Sequence, residues 1–325
     1  MSTPAAEIRI TVGIACYNAA DTVDRAIDSV CRQDWPELEI LVADDASTDG
    51  TAERVAARAR QDARIRLVRR DTNGGAGATR QTILEAATGE FLAFFDDDDV
   101  SDPRRLRCQL ERLRQWEHDT GIRYAACYAS GRREYPNGHV IELPAIGSRP
   151  VVPAGPAVAD YLLFGRRRNG WYYGAGTPTC ALMARREVLL QAGGFDPSLR
   201  RVEDADLAVR MALAGAAFPG CPEGLFLQYA TFAGDKDAES NYRAELALLD
   251  KHRDYLERLR RYDYARRWFT VRYHHLRRDW PNLARSLAGA WLRHPLWTTA
   301  QALRAGPRRL LHERRAGLRP LGRRA

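Results

Sequence analysis

Lysine is almost missing from this 325-residue chain: only Lys236 and Lys251 occur, so nearly all of the basic charge is arginine. Long apolar runs are missing too. No stretch approaches the roughly 18 apolar residues that a membrane-crossing helix needs, which excludes an evident span. Residues 1–7 hold no basic region followed by an apolar core, so no secretory leader is expected. The six cysteines (Cys16, Cys31, Cys108, Cys127, Cys180, Cys221) show no Cys-x-x-Cys spacing. They are expected to be buried, reduced thiols of a cytosolic protein rather than a disulfide framework or a zinc site. No dinucleotide or P-loop glycine fingerprint is present, and no internal repeat.

What is present suits a globular protein: 45% of residues are hydrophobic and 28% charged. The net charge of +8 is unevenly spread. Residues 255–325 carry 18 arginines against Glu257, Asp263, Asp279 and Glu313, a local balance of +14, which leaves residues 1–254 at −6. A mildly acidic body with a strongly basic tail calls for an anionic partner of the tail.

Short apolar runs at 8–15, 38–43, 65–68 and 91–95 read as strands, with helical spacing between them at 20–33, 51–60 and 78–87. Strands of this kind, joined by helices, predict a mostly parallel α/β sheet covered on both faces. Runs at 124–129 and 140–143 flank Asn137-Gly138 and predict a hairpin. Residues 143–156 and 161–176 read as loops, 179–184 as a strand, and 186–192 and 204–214 as helices. Near Gly234 the pattern changes to helices interrupted by Pro281, Pro295 and Pro307. The expected organisation is a catalytic domain over 1–235, with halves of about 1–120 and 121–235, and a basic helical extension over 236–325.

In open α/β sheets ligands bind outside the carboxyl ends of the strands. Three polar clusters fall at those ends: Tyr17-Asn18, Asp44-Asp45 and Asp96-Asp97-Asp98-Asp99. Four adjacent carboxylates repel one another unless cations compensate. Hard oxygen donors suit Mg²⁺ or Mn²⁺, bound through one or two carboxylates together with substrate phosphates. Helix capping before Pro103 is the competing role, for which Asp102 is the better candidate. A carboxylate at Asp44-Asp45 either caps its loop or accepts a hydrogen bond from an imide such as uracil N3–H. Gly74, Gly75 and Gly77 allow close backbone approach to a ligand, or form a turn only.

The segments ITVGIACYNAADTVDRAIDSV, DDASTDGT, NGGAGATRQ, GEFLAFFDDDDVSDPRRL and GGFDPSLRRVEDADLAVRMALAG, in that order over about the first 220 residues, resemble family 2 glycosyltransferases. The resemblance implies the glycosyltransferase-A fold and an inverting, metal-dependent transfer from a UDP-sugar. It places Asp45 on the uracil, Tyr17, Asn18, Gly74 and Arg80 near the nucleotide, and Asp96 on the ribose or metal. It makes Asp98 the metal ligand, Asp97 the variable position of the acidic pattern, and Asp99 a supporting carboxylate. Gln81 stands where the family commonly has Asn. Glu203-Asp204 matches the acceptor-side motif and makes Asp204 the candidate general base. The competing role is helix capping, with Arg200, Arg201 or Arg210 balancing the charge. The family's further ligand, commonly His, has no counterpart in 225–240; Asp235 or Lys236 is expected to approach the diphosphate. Trp171, Tyr172 and Tyr173 fall where acceptor loops occur and either stack on a sugar or pack the domain.

In the tail, Leu296, Ala300, Leu303 and Leu310 fall near one helical face, with Trp291 and Trp297 close by. This predicts an interfacial helix on anionic lipid, or else a helical extension with solvated arginines. Nucleic acid is not an expected partner, because no binding motif accompanies the charge. The whole reads as a transferase of bacterial surface-glycan assembly, cytoplasmic or peripheral at the inner face of the plasma membrane. Its acceptor is then a glycan or lipid-linked molecule. A non-catalytic sugar-nucleotide or glycan binder and a nucleotidyltransferase are the alternatives.

Overall fold

The computed structural model describes residues 8–230 and 238–315. The chain alternates strand and helix from its start: β1 (Ile10–Cys16), α1 (Val23–Cys31), β2 (Leu38–Asp44), α2 (Thr51–Gln61), β3 (Ile65–Arg69), α3 (Ala76–Ala86) and β4 (Phe91–Asp96). There follow β5 (Val100–Ser101), α4 (Arg105–Thr120), β6 (Ala126–Glu134), β7 (Val140–Leu143), α5 (Pro156–Phe164), a 3₁₀ turn at Thr179–Ala181, β8 (Leu182–Arg185), α6 (Arg186–Gln191), α7 (Glu203–Leu213) and β9 (Gly220–Tyr229).

The strands form one sheet in the order β3-β2-β1-β4-β8-β6-β9-β5, with β7 on β6. The first four run parallel. Strand β8 enters antiparallel between β4 and β6, and β9 returns parallel to β6. Strands β1, β2 and β4 are apolar nearly throughout because both faces are covered, which removes the alternation of a one-sided sheet. Helix α3 lies so close to β1 that a Cβ on Gly13 would sit 2.3 Å from Ile83 Cγ2. Cys16 pairs with Asp44, and Ala15 with Asp96, so the carboxyl ends of β1, β2 and β4 emerge along one edge. That register positions the site.

Several expectations need correction. The loop expected over 161–176 begins inside α5, since Pro156 suits a first helical turn and Leu162, Leu163 and Phe164 continue it. The strand expected over 179–184 starts as a 3₁₀ turn and becomes β8 only at Leu182. Strands β5 and β9 were not expected. The first is two residues long, and the second contains Pro222 and Gly224, where its pairing with β6 shifts register.

The chain divides into two compact units: Met1–Glu134, Val140–Ala159 and Arg167–Tyr229 in one, and Tyr135–His139, Asp160–Arg166 and Ala230–Ala325 in the other. The second is helical, with α8 (Ala238–Lys251), α9 (Arg253–Arg258), α10 (Tyr262–Leu276), α11 (Trp280–Arg293) and α12 (Pro295–Arg315). Leu248, Leu249, Leu256, Tyr264, Ala265 and Ala290 are buried in it. Asp160 accepts hydrogen bonds from the Tyr255 hydroxyl at 2.7 Å and Arg166 Nη1 at 3.2 Å, and the Phe164 ring meets Trp297 edge-on at 5.9 Å. Pro281 and Pro295 start helices, and the Asp279 carboxylate caps α11 by accepting from the Asn282 amide. Pro307 does not interrupt: α12 runs through it, as a helix continued on both sides can with one ladder bond lost. Among the described residues no helix is long and apolar enough to cross a membrane.

Candidate active site

At the end of β1, Tyr17 is half exposed, and Asn18 takes a positive φ of 49°. The Asn18 amide donates to Ser47 Oγ at 2.9 Å, and the Thr48 amide donates to Asn18 Oδ1 at 3.0 Å. The loops after β1 and β2 are thereby tied together. Asp45 is buried and already engaged. It accepts from the Gly74 amide at 3.0 Å, the Gly75 amide at 2.7 Å and Arg70 Nε at 2.9 Å. One carboxylate thus shapes the glycine-rich turn, in which Gly75 has φ +83°. Gly77 follows at the start of α3, where a Cβ would lie 2.8 Å from the Leu199 carbonyl oxygen.

The acidic run leaves β4 through a tight turn. The Tyr17 amide donates to Asp97 Oδ2 at 3.4 Å, and Arg25 Nη2 donates to the Asp98 carbonyl at 2.6 Å. Burial, reinforced by Asp98 and Asp96, pushes the Asp97 carboxyl up to about 7. Burial, then Asp96 and Asp98, pushes Asp99 up to about 8. Both Asp99 oxygens are buried with no hydrogen-bond partner among the described residues. A buried carboxylate without a partner is costly, and a cation offsets that cost.

Asp96, Asp99 and Cys180 offer ligand atoms that all lie within 4.8 Å of one another. Burial and the adjacent aspartates push the Cys180 thiol up, so it keeps its proton and makes a poor partner for a hard cation. The aspartate oxygens therefore fit Mg²⁺ or Mn²⁺. The converging atoms come from Asp96 and Asp99, while Asp98 lies in the turn beside them.

Arg80 on α3 joins this run to α7. Its Nη2 donates to Asp96 Oδ1 at 3.2 Å, and its Nη1 pairs with Glu203 Oε1. Glu203 and Asp204 open α7, whose preceding residue Val202 has φ 58° and offers no side-chain cap. Burial pushes both carboxyls up, against the pull of Arg80. Two of the arginines that could balance these positions are engaged elsewhere. Arg210 pairs with Asp206 at 2.8 Å, and Arg200 donates to the Asn73 carbonyl at 3.2 Å. Gln81 receives the Phe195 amide at 2.9 Å, which links α3 to the approach of α7.

Trp171, Tyr172 and Tyr173 form an aromatic cluster backed by cations. Arg168 lies over Trp171 at 5.0 Å and Arg149 over Tyr172 at 4.1 Å. Tyr173 is fully buried, so only the other two rings offer accessible area. Asp235 and Lys236 lie outside the described residues.

One residue beneath the site escaped the sequence reading. Arg105, buried in α4, stacks over Phe95 at 4.0 Å and donates to the carbonyls of Phe94 at 2.8 Å and Cys180 at 2.6 Å. Its neighbour one turn on, Gln109, donates to the carbonyls of Cys127 and Ala181. Burial pulls Arg105 down to about 10, so it stays charged at neutral pH below Asp99. The signal was a cation and an amide four residues apart among Leu106, Leu110 and Leu113, on a face that should be apolar.

Residues 11–190 match the sequence model of Glycosyl transferase family 2. The chain belongs to this family. The chain is 30% identical over 205 residues to the putative colanic acid biosynthesis glycosyl transferase WcaA of Escherichia coli, covering 63% of this chain and 66% of that one. It is 43% identical over 103 residues to the succinoglycan biosynthesis protein ExoO of Rhizobium meliloti, covering 32% of this chain and 29% of ExoO. The chain thus spans less than two thirds of the length of these relatives.

Among solved structures, TarS 1-349 of S. aureus in complex with UDP-GlcNAc superposes with a TM-score of 0.59 at 18% identity, over 87% of this chain and 80% of that one. The mannosyltransferase PcManGT from Pyrobaculum calidifontis, in complex with GDP-Man and Mn²⁺, gives 0.56 at 20% identity, over 96% and 84%. At these identities the likeness establishes the fold, which is glycosyltransferase-A.

Proposed function

We propose that this glycosyltransferase moves a sugar from a UDP-sugar to a glycan or lipid-linked acceptor by a single inverting displacement. The observation that carries the reading is Arg80, which spans Asp96 of the acidic run and Glu203 beside Asp204. In this reading Asp45, held rigid by Gly74, Gly75 and Arg70, presents its remaining lone pair to uracil N3–H. Tyr17 and Asn18 flank the nucleotide, and Asp96 and Asp97 face the ribose and diphosphate.

Asp204 accepts the proton of the acceptor hydroxyl as that oxygen bonds to the anomeric carbon and the carbon–oxygen bond to UDP breaks. Burial raises the basicity of Asp204, and Glu203 holds Arg80 in place between the two halves of the site. Asp96 and Asp98 would hold Mg²⁺ or Mn²⁺ together with Asp99, whose oxygen converges on that of Asp96, and the ion when bound would neutralise charge on the departing diphosphate. Trp171 and Tyr172 offer stacking faces to the acceptor sugar.

Similarity to proteins named for succinoglycan and colanic acid biosynthesis supports a role in cell-surface glycan assembly, and the inner face of the plasma membrane is the place proposed for it. The test is UDP release from a panel of UDP-sugars with and without Mn²⁺, with products read by mass spectrometry. Metal-dependent release with one donor and a β-for-α change at the anomeric carbon, or the reverse, is expected. Retained anomeric configuration, or pyrophosphate in place of UDP, would overturn the reading.

A further inference from the structure

Helices α11 and α12 turn large apolar side chains outward. Trp291 is 51% exposed, Leu292 75%, Leu296 83% and Leu303 73%, and Trp280 at the start of α11 is 54% exposed. This is not a loosely packed helix pair. On α12, Trp297 points inward against Phe164, Tyr264 and Arg261, and Thr298 is buried beside it. Leu296 and Leu303, seven residues apart, fall on the opposite side. On α11, Ala284, Ala288, Trp291 and Leu292 share the exposed side, while Ala290 faces in. Trp291 Nε1 donates to Thr299 Oγ1 at 3.2 Å, which joins the two exposed faces across the Arg293–Pro295 turn.

The charge around these faces has one sign. Residues 280–315 contain seven arginines and a single acidic residue, Glu313. Arg293 and Arg304 are exposed beside the apolar faces, and neither has a carboxylate partner among the described residues. Several arginines elsewhere in this unit do pair with carboxylates: Arg266 with Asp250, Arg267 with Asp263 and Arg272 with Glu245. An apolar protein partner would be matched by apolar area alone. Exposed leucines, rimming tryptophans and uncompensated arginines together match a bilayer surface with anionic headgroups.

We infer that the outward faces of α11 and α12, centred on Trp291, Leu292, Leu296 and Leu303 and rimmed by Arg293 and Arg304, form a docking surface for an anionic membrane. The leucines enter the acyl boundary, the indoles lie at headgroup depth, and the guanidiniums meet lipid phosphate. The inference deepens the inner-face location proposed above and rests on it, but its geometry is independent of the transfer chemistry.

The test is co-sedimentation of the full chain with vesicles of phosphatidylcholine alone or of phosphatidylcholine with phosphatidylglycerol, together with L296S/L303S and R293E/R304E. UDP affinity and circular dichroism of each variant report whether the chain is still folded. The native chain should sediment with the phosphatidylglycerol vesicles, and both variants should bind them about ten-fold or more weakly with UDP affinity unchanged. Binding that is equal in native and variant chains, or equal on neutral and anionic vesicles, overturns the inference. So does a native dimer in light scattering that becomes monomeric in L296S/L303S, which would assign these faces to a second copy. Vesicle binding without UDP release from any donor would leave the surface standing and remove the transfer reading.

Discussion

Arg80 and Glu203 lie 123 residues apart in sequence and form an ion pair in the interior, with the other arm of the guanidinium on Asp96. This relationship connects the strand-end carboxylates to the start of α7, and the proposed chemistry depends on that connection.

Removing the cation should therefore damage both halves. Arg80→Ala leaves Glu203 buried, and Asp96 half-buried, without their partner, and breaking a buried pair costs about 3–5 kcal/mol. Urea denaturation of Arg80→Ala should show that loss. Arg80→Ala/Glu203→Ala should recover part of it, because the second substitution removes one stranded charge. If the double variant is no more stable than Arg80→Ala, the pair is not the source of the cost.

Asp204→Ala and Asp98→Ala should separate by mechanism. The first is expected to keep UDP binding and lose transfer by about 10²–10⁴-fold, the usual contribution of a general base. The second should lose the part of UDP binding that depends on Mn²⁺. Calorimetric titration of UDP with Mn²⁺ or with EDTA, set beside turnover, distinguishes the two; near-normal transfer by Asp204→Ala would sink the base assignment.

Gly77→Ala adds one methyl where the Leu199 carbonyl lies at 2.8 Å and the Asp196 carbonyl at 2.9 Å. Both are backbone atoms and cannot swing aside. A destabilisation of about 1–3 kcal/mol is expected, with weaker UDP binding because the turn held by Asp45 must shift. Thermal melts and UDP titration check this, and an unchanged melting temperature would show that the 196–199 segment yields freely.

The Asp62 carboxyl is held down at about 2 by Arg64, whose side chain donates to it, against an ordinary 3.8. The folded form binds this proton less tightly than the unfolded chain. Its contribution, at most about 2 kcal/mol, is therefore complete above the ordinary value and is lost as pH falls from near 4 towards 2. Asp62→Asn should be less stable than the native chain at pH 7, with the gap closing through that acid window in pH-dependent urea melts.

Much of the α/β order was legible before any coordinates. Strands covered on both faces are continuous apolar runs, and polar residues at their carboxyl ends stand out against them. Strand β9 was illegible because its proline and glycine sit where pairing shifts, and β5 because two residues carry no period. The end of α5 was read as loop because the aromatic and basic residues that follow it dominated the pattern.

By itself the sequence determined the alternation of strands and helices, the carboxylate-rich strand ends and the basic character of the last helices, all of which follow from local composition and spacing. Only tertiary structure decided which groups meet. It set Asp45 on the Gly74 and Gly75 amides, placed Arg105 beneath Asp99, and turned Trp297 inward while Leu296 and Leu303 stayed out. Those outcomes depend on contacts between residues far apart in sequence, where burial and pairing rather than local propensity fix the lowest free energy.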